Sequence, residues 1–264
     1  MTGDTPKERM ISDTKRLDGK TAWVTGSGRG MGRAHAVLLA QRGADIVVHD
    51  ILEAEAEETA RLVREAGRRA FVSNADLIDV EAIRLLALRV FAEFGAIDIL
   101  VNNAGIGQHG PIEQITPADF QRMFDIHVRG SFFCGQSVIP AMKQRRSGKI
   151  INISSIWGMN GADTASHYCG AKAALLGLTK AWAKELAPWN IHVNAVCPGG
   201  VITEMPIKVQ GWEKIREKEK RVPLGRWAQP EEISYAVAFF ASQESDFITG
   251  QAISPNGGET IVGF

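Results

Sequence analysis

The 264-residue chain is expected to adopt an α/β fold built on a parallel sheet, and three observations carry that expectation. Short β-branched and apolar runs alternate with longer amphipathic stretches, the pattern of repeated βαβ units. Several of those runs are apolar almost throughout, as strands covered on both faces must be. No segment rich in Pro, Gly or Ser separates two halves, so one large domain accommodates the whole length.

Taken in order, the strands are expected at TAWVTG (21–26), ADIVVHD (44–50), RAFVSNAD (69–76), IDILVNNAG (97–105), GKIINISS (148–155) and IHVNAVCPG (191–199). Between them, helical periodicity marks 30–42, 53–66, 79–94, 117–144, 165–187 and 229–242 as crossover helices. Residues 203–228 break the rhythm with many charges, no clear strand, and Pro206 and Pro223 near their ends. Such an insertion after a strand end is expected to be a mobile lid. Residues 1–16 are polar and charged, and are expected to be a disordered extension with neither the apolar core of a signal peptide nor a membrane anchor.

Thirty Lys plus Arg balance thirty Asp plus Glu. No net field gathers phosphate backbones or an anionic membrane, which argues against nucleic acid and membrane as partners. Nor does any apolar run approach the length of a membrane span. Cys134, Cys169 and Cys197 show no CxxC or His-flanked spacing. Neither a disulfide framework nor a metal site is expected; reduced thiols point to a cytoplasmic location.

The first strand runs directly into GSGRGMGRAHAVLLAQ, which sets Gly26, Gly28, Gly30 and Gly32 between a strand and a helix. Glycine there supplies positive φ and lets backbone approach a ligand, and the helix N-terminus beyond offers unpaired N–H groups to a pyrophosphate. Asp50 closes the second strand at about the offset where a carboxylate reaches an adenosine ribose; a turn or helix-cap role is its alternative. Tyr168 and Lys172 lie four apart and share one helix face. A cation beside a phenol favours the phenolate, so Lys172 is expected to pull the Tyr168 pKa below its usual value of about 10. Ser155 closes another strand, and parallel sheets gather ligands at their carboxyl ends.

Together TGSGRGMG (25–32), NNAG (102–105), Ser155, YCGAK (168–172) and PGGVIT (198–203) resemble the short-chain dehydrogenase/reductase family, and the likeness extends from about Leu17 to Phe264. The resemblance implies a Rossmann-type doubly wound single domain over 17–264, moving hydride between a nicotinamide dinucleotide and a carbonyl or secondary alcohol. By position, Tyr168 is the acid/base, Ser155 holds the substrate oxygen, and Lys172 binds the nicotinamide ribose and tunes Tyr168. Gly26, Ser27, Gly28, Arg29, Gly30, Met31 and Gly32 cradle the cofactor. Asp76 and Leu77 sit beside the adenine, Asn103, Ala104 and Gly105 line the cofactor, and Pro198, Gly199, Val201 and Thr203 border its nicotinamide half.

Two positions depart from the family pattern: His127 stands where Asn is usual, and Asn256 where Asp is usual. The family residue at the first position acts largely through its backbone carbonyl, which holds a water in the relay to the lysine, so His127 is expected to be compatible with activity. Asp50 favours NAD, because a 2′-phosphate about 4 Å away would be repelled by about 4 kcal/mol at an effective dielectric of 20. Arg29 and the adjacent His49 argue for NADP, and a NADP-dependent 3-oxoacyl reductase is the alternative within the class. A dinucleotide-binding regulator without turnover is the alternative outside it. Sugars and polyols, cyclic or hydroxysteroid-like alcohols and 3-oxoacyl thioesters all remain open as substrates. The resemblance also implies a homotetramer formed on the faces of helices 117–144 and 165–187.

Overall fold

The computed structural model describes residues 16–262; the expected extension over 1–16 lies outside them except for Arg16. Seven strands form one sheet: β1 (Thr21–Thr25), β2 (Asp45–His49), β3 (Ala70–Ser73), β4 (Ile99–Asn102), β5 (Gly148–Ile153), β6 (Ile191–Val196) and β7 (Ala252–Ile253). Their order is β3-β2-β1-β4-β5-β6-β7 with every pairing parallel. The first six are the expected runs, and β7 comes from the segment after the last helix. The chain winds outward from β1 to β3, then returns to β4 and winds the other way. The connections leaving β1 and β4 therefore diverge, and open a crevice at the carboxyl ends of those strands.

The helices are α1 (Gly30–Gln41), α2 (Glu53–Glu65), α3 (Val80–Phe94), α4 (Pro117–Phe124), α5 (Ser131–Arg145), α6 (Trp157–Asn160), α7 (Ser166–Leu186), α8 (Glu204–Glu219) and α9 (Pro230–Ala241). Successive strand residues point to opposite faces, and both faces are apolar. Ala22, Val24, Ile46, Val48, Ile99 and Val101 join Leu39 of α1, Val63 of α2 and Val237 of α9 in one core. Trp23, Val47 and Leu100 join Ile83 of α3, Val138 of α5 and Leu186 of α7 in the other. This two-sided burial explains why the strands read as nearly continuous apolar runs.

Two expected elements differ. Residues 117–144 do not form one regular helix: a π-helical turn, Asp125–Gly130, joins α4 to α5 and contains the buried His127. The absence of a side chain at Gly130 lets Leu77 approach this turn, and a Cβ there would lie 3.0 Å from the Leu77 Cβ. The charged insertion is largely helical; α8 breaks at Gly211, whose φ of +77° ends the first helical segment and begins the second. Its far end returns to the segment just after β6 through an isolated bridge between Val201 and Ala228, and Ile215, Val222 and Trp227 form a small buried cluster of their own. Among the described residues no helix is long and apolar enough to cross a membrane.

Burial disfavours the charged imidazole, so His35 is pushed down to about 3, and His49 and His127 are also lowered. As pH falls below 6.5 the unfolded chain binds protons that these folded histidines refuse, so stability present at neutral pH is lost toward acid. Each contributes up to about 1.4 kcal/mol per pH unit. The thermal midpoint is expected to drop by at least about 5 °C between about pH 7 and 5. A midpoint unchanged over that interval would contradict the neutral burial of these rings.

Candidate active site

The glycine-rich turn is clamped to the start of the β4 loop. Thr25 donates its hydroxyl to the Val101 carbonyl and accepts from the Asn103 and Ala104 N–H groups, each at 3.0 Å. The Asn103 side-chain amide in turn donates to the carbonyls of Thr25 (2.9 Å) and Gly26 (3.0 Å). Gly26 takes φ +63°, and a Cβ on it would lie 2.7 Å from the Ala104 Cα. At Gly32 a Cβ would run into the Gly26 carbonyl oxygen and the Asn103 amide. These close approaches leave a shallow backbone cradle at the N-terminus of α1, which suits a pyrophosphate.

Not every residue of that motif offers a side chain to a ligand. Ser27 is buried and donates to the Val24 carbonyl at 2.8 Å, and Met31 packs against the core. Asp50 accepts from the Gly28 N–H at 2.9 Å and the Leu52 N–H at 3.0 Å, so it both shapes the turn and stands beside Gly28. Arg29 pairs with Glu204 at the start of α8, 3.2 Å away, rather than with Asp50. Asp76 is exposed and accepts from the Ile78 N–H, whereas Leu77 is buried. Pro198 and Gly199 anchor the strand end through the Ile156 N–H and the Pro255 carbonyl, Val201 is buried at its bridge, and Thr203 faces Gly30.

Across the crevice, Ser155, Tyr168 and Lys172 converge at the carboxyl end of β5. Ser155 hydrogen-bonds the Tyr168 hydroxyl, and the Lys172 Nζ lies 5.6 Å from the centre of the Tyr168 ring. Lys172 is buried and donates to the Ile153 carbonyl at 2.8 Å. Ser154 donates to the Lys172 carbonyl at 2.8 Å, and Gly158 lets α6 close against the same turn of α7. The expectation that Lys172 lowers the tyrosine pKa is corrected here. Desolvation pushes Tyr168 up to about 12, with the Ser155 hydrogen bond acting in the opposite sense, and desolvation brings Lys172 down to about 7.

His127 completes this wall. Its ring is buried, stands edge-on to Tyr168 at 5.5 Å, and lies against Gly105, where a Cβ would clash with it. Its Nε2 sits 2.9 Å from the Ile106 carbonyl and 3.0 Å from the Ile106 N–H. Its carbonyl accepts from the Ser131 hydroxyl at 2.7 Å. Desolvation first, and the neighbouring Lys172 charge second, keep the imidazole neutral. On the open side, Trp157 stands edge-on to Tyr168 at 5.9 Å, and Lys218 of α8 reaches 5.5 Å from the Trp157 ring.

Sequence reasoning missed Thr25, whose role as the stitch between β1 and β4 has no signal beyond its place ahead of Gly26. It also missed the pair Asn102 and Asn152, whose side chains join β4 to β5 at 2.8 Å, and Glu204 as the partner of Arg29. A polar residue ending an otherwise apolar buried strand was the available sign for both asparagines.

A parallel doubly wound sheet with a glycine cradle at its switch point, facing a Ser, Tyr and Lys cluster, defines a dinucleotide-linked oxidoreductase. The family model described as Enoyl-(Acyl carrier protein) reductase matches residues 26–260. The 3-oxoacyl-(acyl-carrier-protein) reductase FabG of Thermotoga maritima is 39% identical over 252 residues, covering 93% of this chain and 100% of its own. The cis-4-hydroxycyclohexanecarboxylate dehydrogenase of Sinomonas cyclohexanicum is 38% identical, covering 92% and 97%. The solved gluconate 5-dehydrogenase of Burkholderia cenocepacia, in complex with NADP and tartrate, superposes with a TM-score of 0.90 at 37% identity, covering 94% of this chain and 98% of its own. The chain belongs to the short-chain dehydrogenase/reductase family, and its reaction is hydride exchange between a nicotinamide cofactor and a secondary alcohol or ketone.

Gly32→Ala would force the Gly26 carbonyl or the Asn103 amide out of place. The variant is expected to keep native far-ultraviolet circular dichroism and lose at least about tenfold in dinucleotide affinity by calorimetry, a difference of about 1.4 kcal/mol. Unchanged affinity would show that the cradle is not the cofactor site.

Proposed function

We propose that the protein is an NAD-dependent dehydrogenase/reductase in which Tyr168 is the acid/base, Ser155 binds the reacting oxygen, and Lys172 with His127 supports the proton path. The observation that carries this reading is the meeting of Ser155, Tyr168 and Lys172 at one strand end facing the glycine cradle. In the oxidative direction the Tyr168 phenolate takes the proton of the alcohol and becomes the phenol, while the Ser155 hydroxyl donates a hydrogen bond to the reacting oxygen. The nicotinamide, when bound, supplies the hydride acceptor. Lys172 is held by the Ile153 carbonyl with its Nζ 5.6 Å from the centre of the Tyr168 ring, and the neutral His127 adds no competing charge. Gly26, Gly28, Gly30 and Gly32, with Asn103, Ala104 and Gly105, hold the dinucleotide by backbone contact, and Thr203 faces Gly30 across the groove.

Residues 203–228 act as a substrate lid in this reading. Support comes from Met205, which sits against Gly107, and from Lys218, which reaches over Trp157 beside the tyrosine. The relatives act on compounds as different as a hydroxycyclohexanecarboxylate, gluconate and a 3-oxoacyl carrier, so the substrate class proposed is a secondary alcohol or ketone. A cytoplasmic homotetramer completes the reading; Phe120 of α4 and Phe132 of α5 leave apolar surface exposed for association.

NAD is proposed over NADP because the Asp50 carboxylate borders Gly28 while Arg29 is engaged by Glu204. NAD is expected to exceed NADP by at least about tenfold in kcat/KM, and Asp50→Ala to narrow the gap mainly through NADP. A wild-type preference for NADP would overturn the cofactor assignment and leave the tyrosine assignment standing. Separately, Tyr168→Phe is expected to lower kcat by about 10²-fold or more. Near-normal kcat in that variant, with cofactor shown bound, would refute the acid/base role.

A further inference from the structure

Two guanidinium groups border the glycine turn, and both are held by carboxylates. Arg33 donates to the Gly28 carbonyl and pairs with Glu55 at 2.6 Å. Arg29, one residue beyond Gly28, extends the other way, and its Nη1 lies 3.2 Å from the Glu204 Oε2. Glu204 opens α8, and the same oxygen also meets the Lys208 Nζ at 3.0 Å. Asp50, by contrast, accepts only uncharged backbone N–H groups among these contacts.

We infer that Glu204 is a cofactor-discriminating residue: by engaging Arg29 at the first turn of the lid helix, it withdraws a guanidinium from the adenosine end of the groove and leaves Asp50 to repel a 2′-phosphate. The inference rests on the proposed nicotinamide-cofactor reading and adds to it a residue outside the glycine motif. Its physical basis is charge balance. A 2′-phosphate would be welcomed by a guanidinium beside Gly28 and rejected by the Asp50 carboxylate, so the commitment of Arg29 decides which influence prevails. The pair spans 175 positions of sequence, which is why the glycine motif alone does not reveal it. Both partners are substantially exposed, at 43% and 55%, so the pair is an adjustable contact and not a rigid strut. The effect to look for is accordingly modest, about two- to fivefold.

The test compares wild type, Glu204→Gln, Arg29→Ala and the double variant by calorimetry. The probes are NAD, NADP, 5′-AMP and 2′,5′-ADP, so that binding is read without turnover. Glu204→Gln is expected to shift the NADP-to-NAD affinity ratio, and the 2′,5′-ADP-to-5′-AMP ratio, toward the phosphorylated ligand by about two- to fivefold. The shift should disappear when Arg29 is also replaced. An unchanged ratio in Glu204→Gln, or a shift that persists without Arg29, would overturn the inference. Failure of wild type to bind either dinucleotide would instead contradict the cofactor reading on which it rests, so the two failures are distinguishable.

Discussion

The hydrogen bond from the Lys172 Nζ to the Ile153 carbonyl, 2.8 Å long and sealed from water, is the constraint on which the site depends. It docks α7 on the end of β5, and because Tyr168 lies one helical turn earlier, the same bond brings the phenol to Ser155. Its consequence is electrostatic. Bringing the lysine from its ordinary 10.5 to about 7 corresponds to on the order of 5 kcal/mol of lost preference for the charged form. Desolvation holds the phenol beside it above its ordinary value, so it is protonated at pH 7. The protein's own residues therefore build an acid that stays protonated, and further positive charge must reach the site before it becomes a base.

The opposite wall serves the same end. His127 lies buried next to Lys172, where desolvation above all, and repulsion from the lysine when it is protonated, keep the imidazole neutral. Gly105 makes room for its ring, and Ile106 fixes its edge, so the loop following β4 is tied to the turn that carries the family's usual asparagine position. Thr25 and Asn103 then tie that loop to the glycine cradle. One continuous set of short polar contacts thus connects the wall of the tyrosine site to the place where a pyrophosphate fits.

Much of this was legible in the sequence because its causes are local. Six strands followed from apolar runs covered on both faces, and the cradle followed from glycines between a strand and a helix. The spacing of Tyr168 and Lys172 placed both on one helical face. What could not be read was the balance of charge and burial. A lysine four residues from a tyrosine looks like a source of positive charge, until the end of β5 and the turn at Gly158 remove the water around it. The π-helical turn at His127 and the pair between Arg29 and Glu204 depend on segments distant in sequence, and periodicity carries no information about either.

The most direct test is the ionisation of Tyr168 itself. The chain has two tyrosines, the half-buried Tyr168 and the exposed Tyr235, so a Tyr235→Phe protein reports on the Tyr168 phenol alone in near-ultraviolet difference spectra. Without cofactor the phenol is expected to stay protonated to at least about pH 10.5, above its ordinary value of about 10. With saturating oxidised NAD, the positive ring should bring the midpoint below about 10. A midpoint that is already low in the free protein, or one that the oxidised cofactor leaves unmoved, would contradict the account.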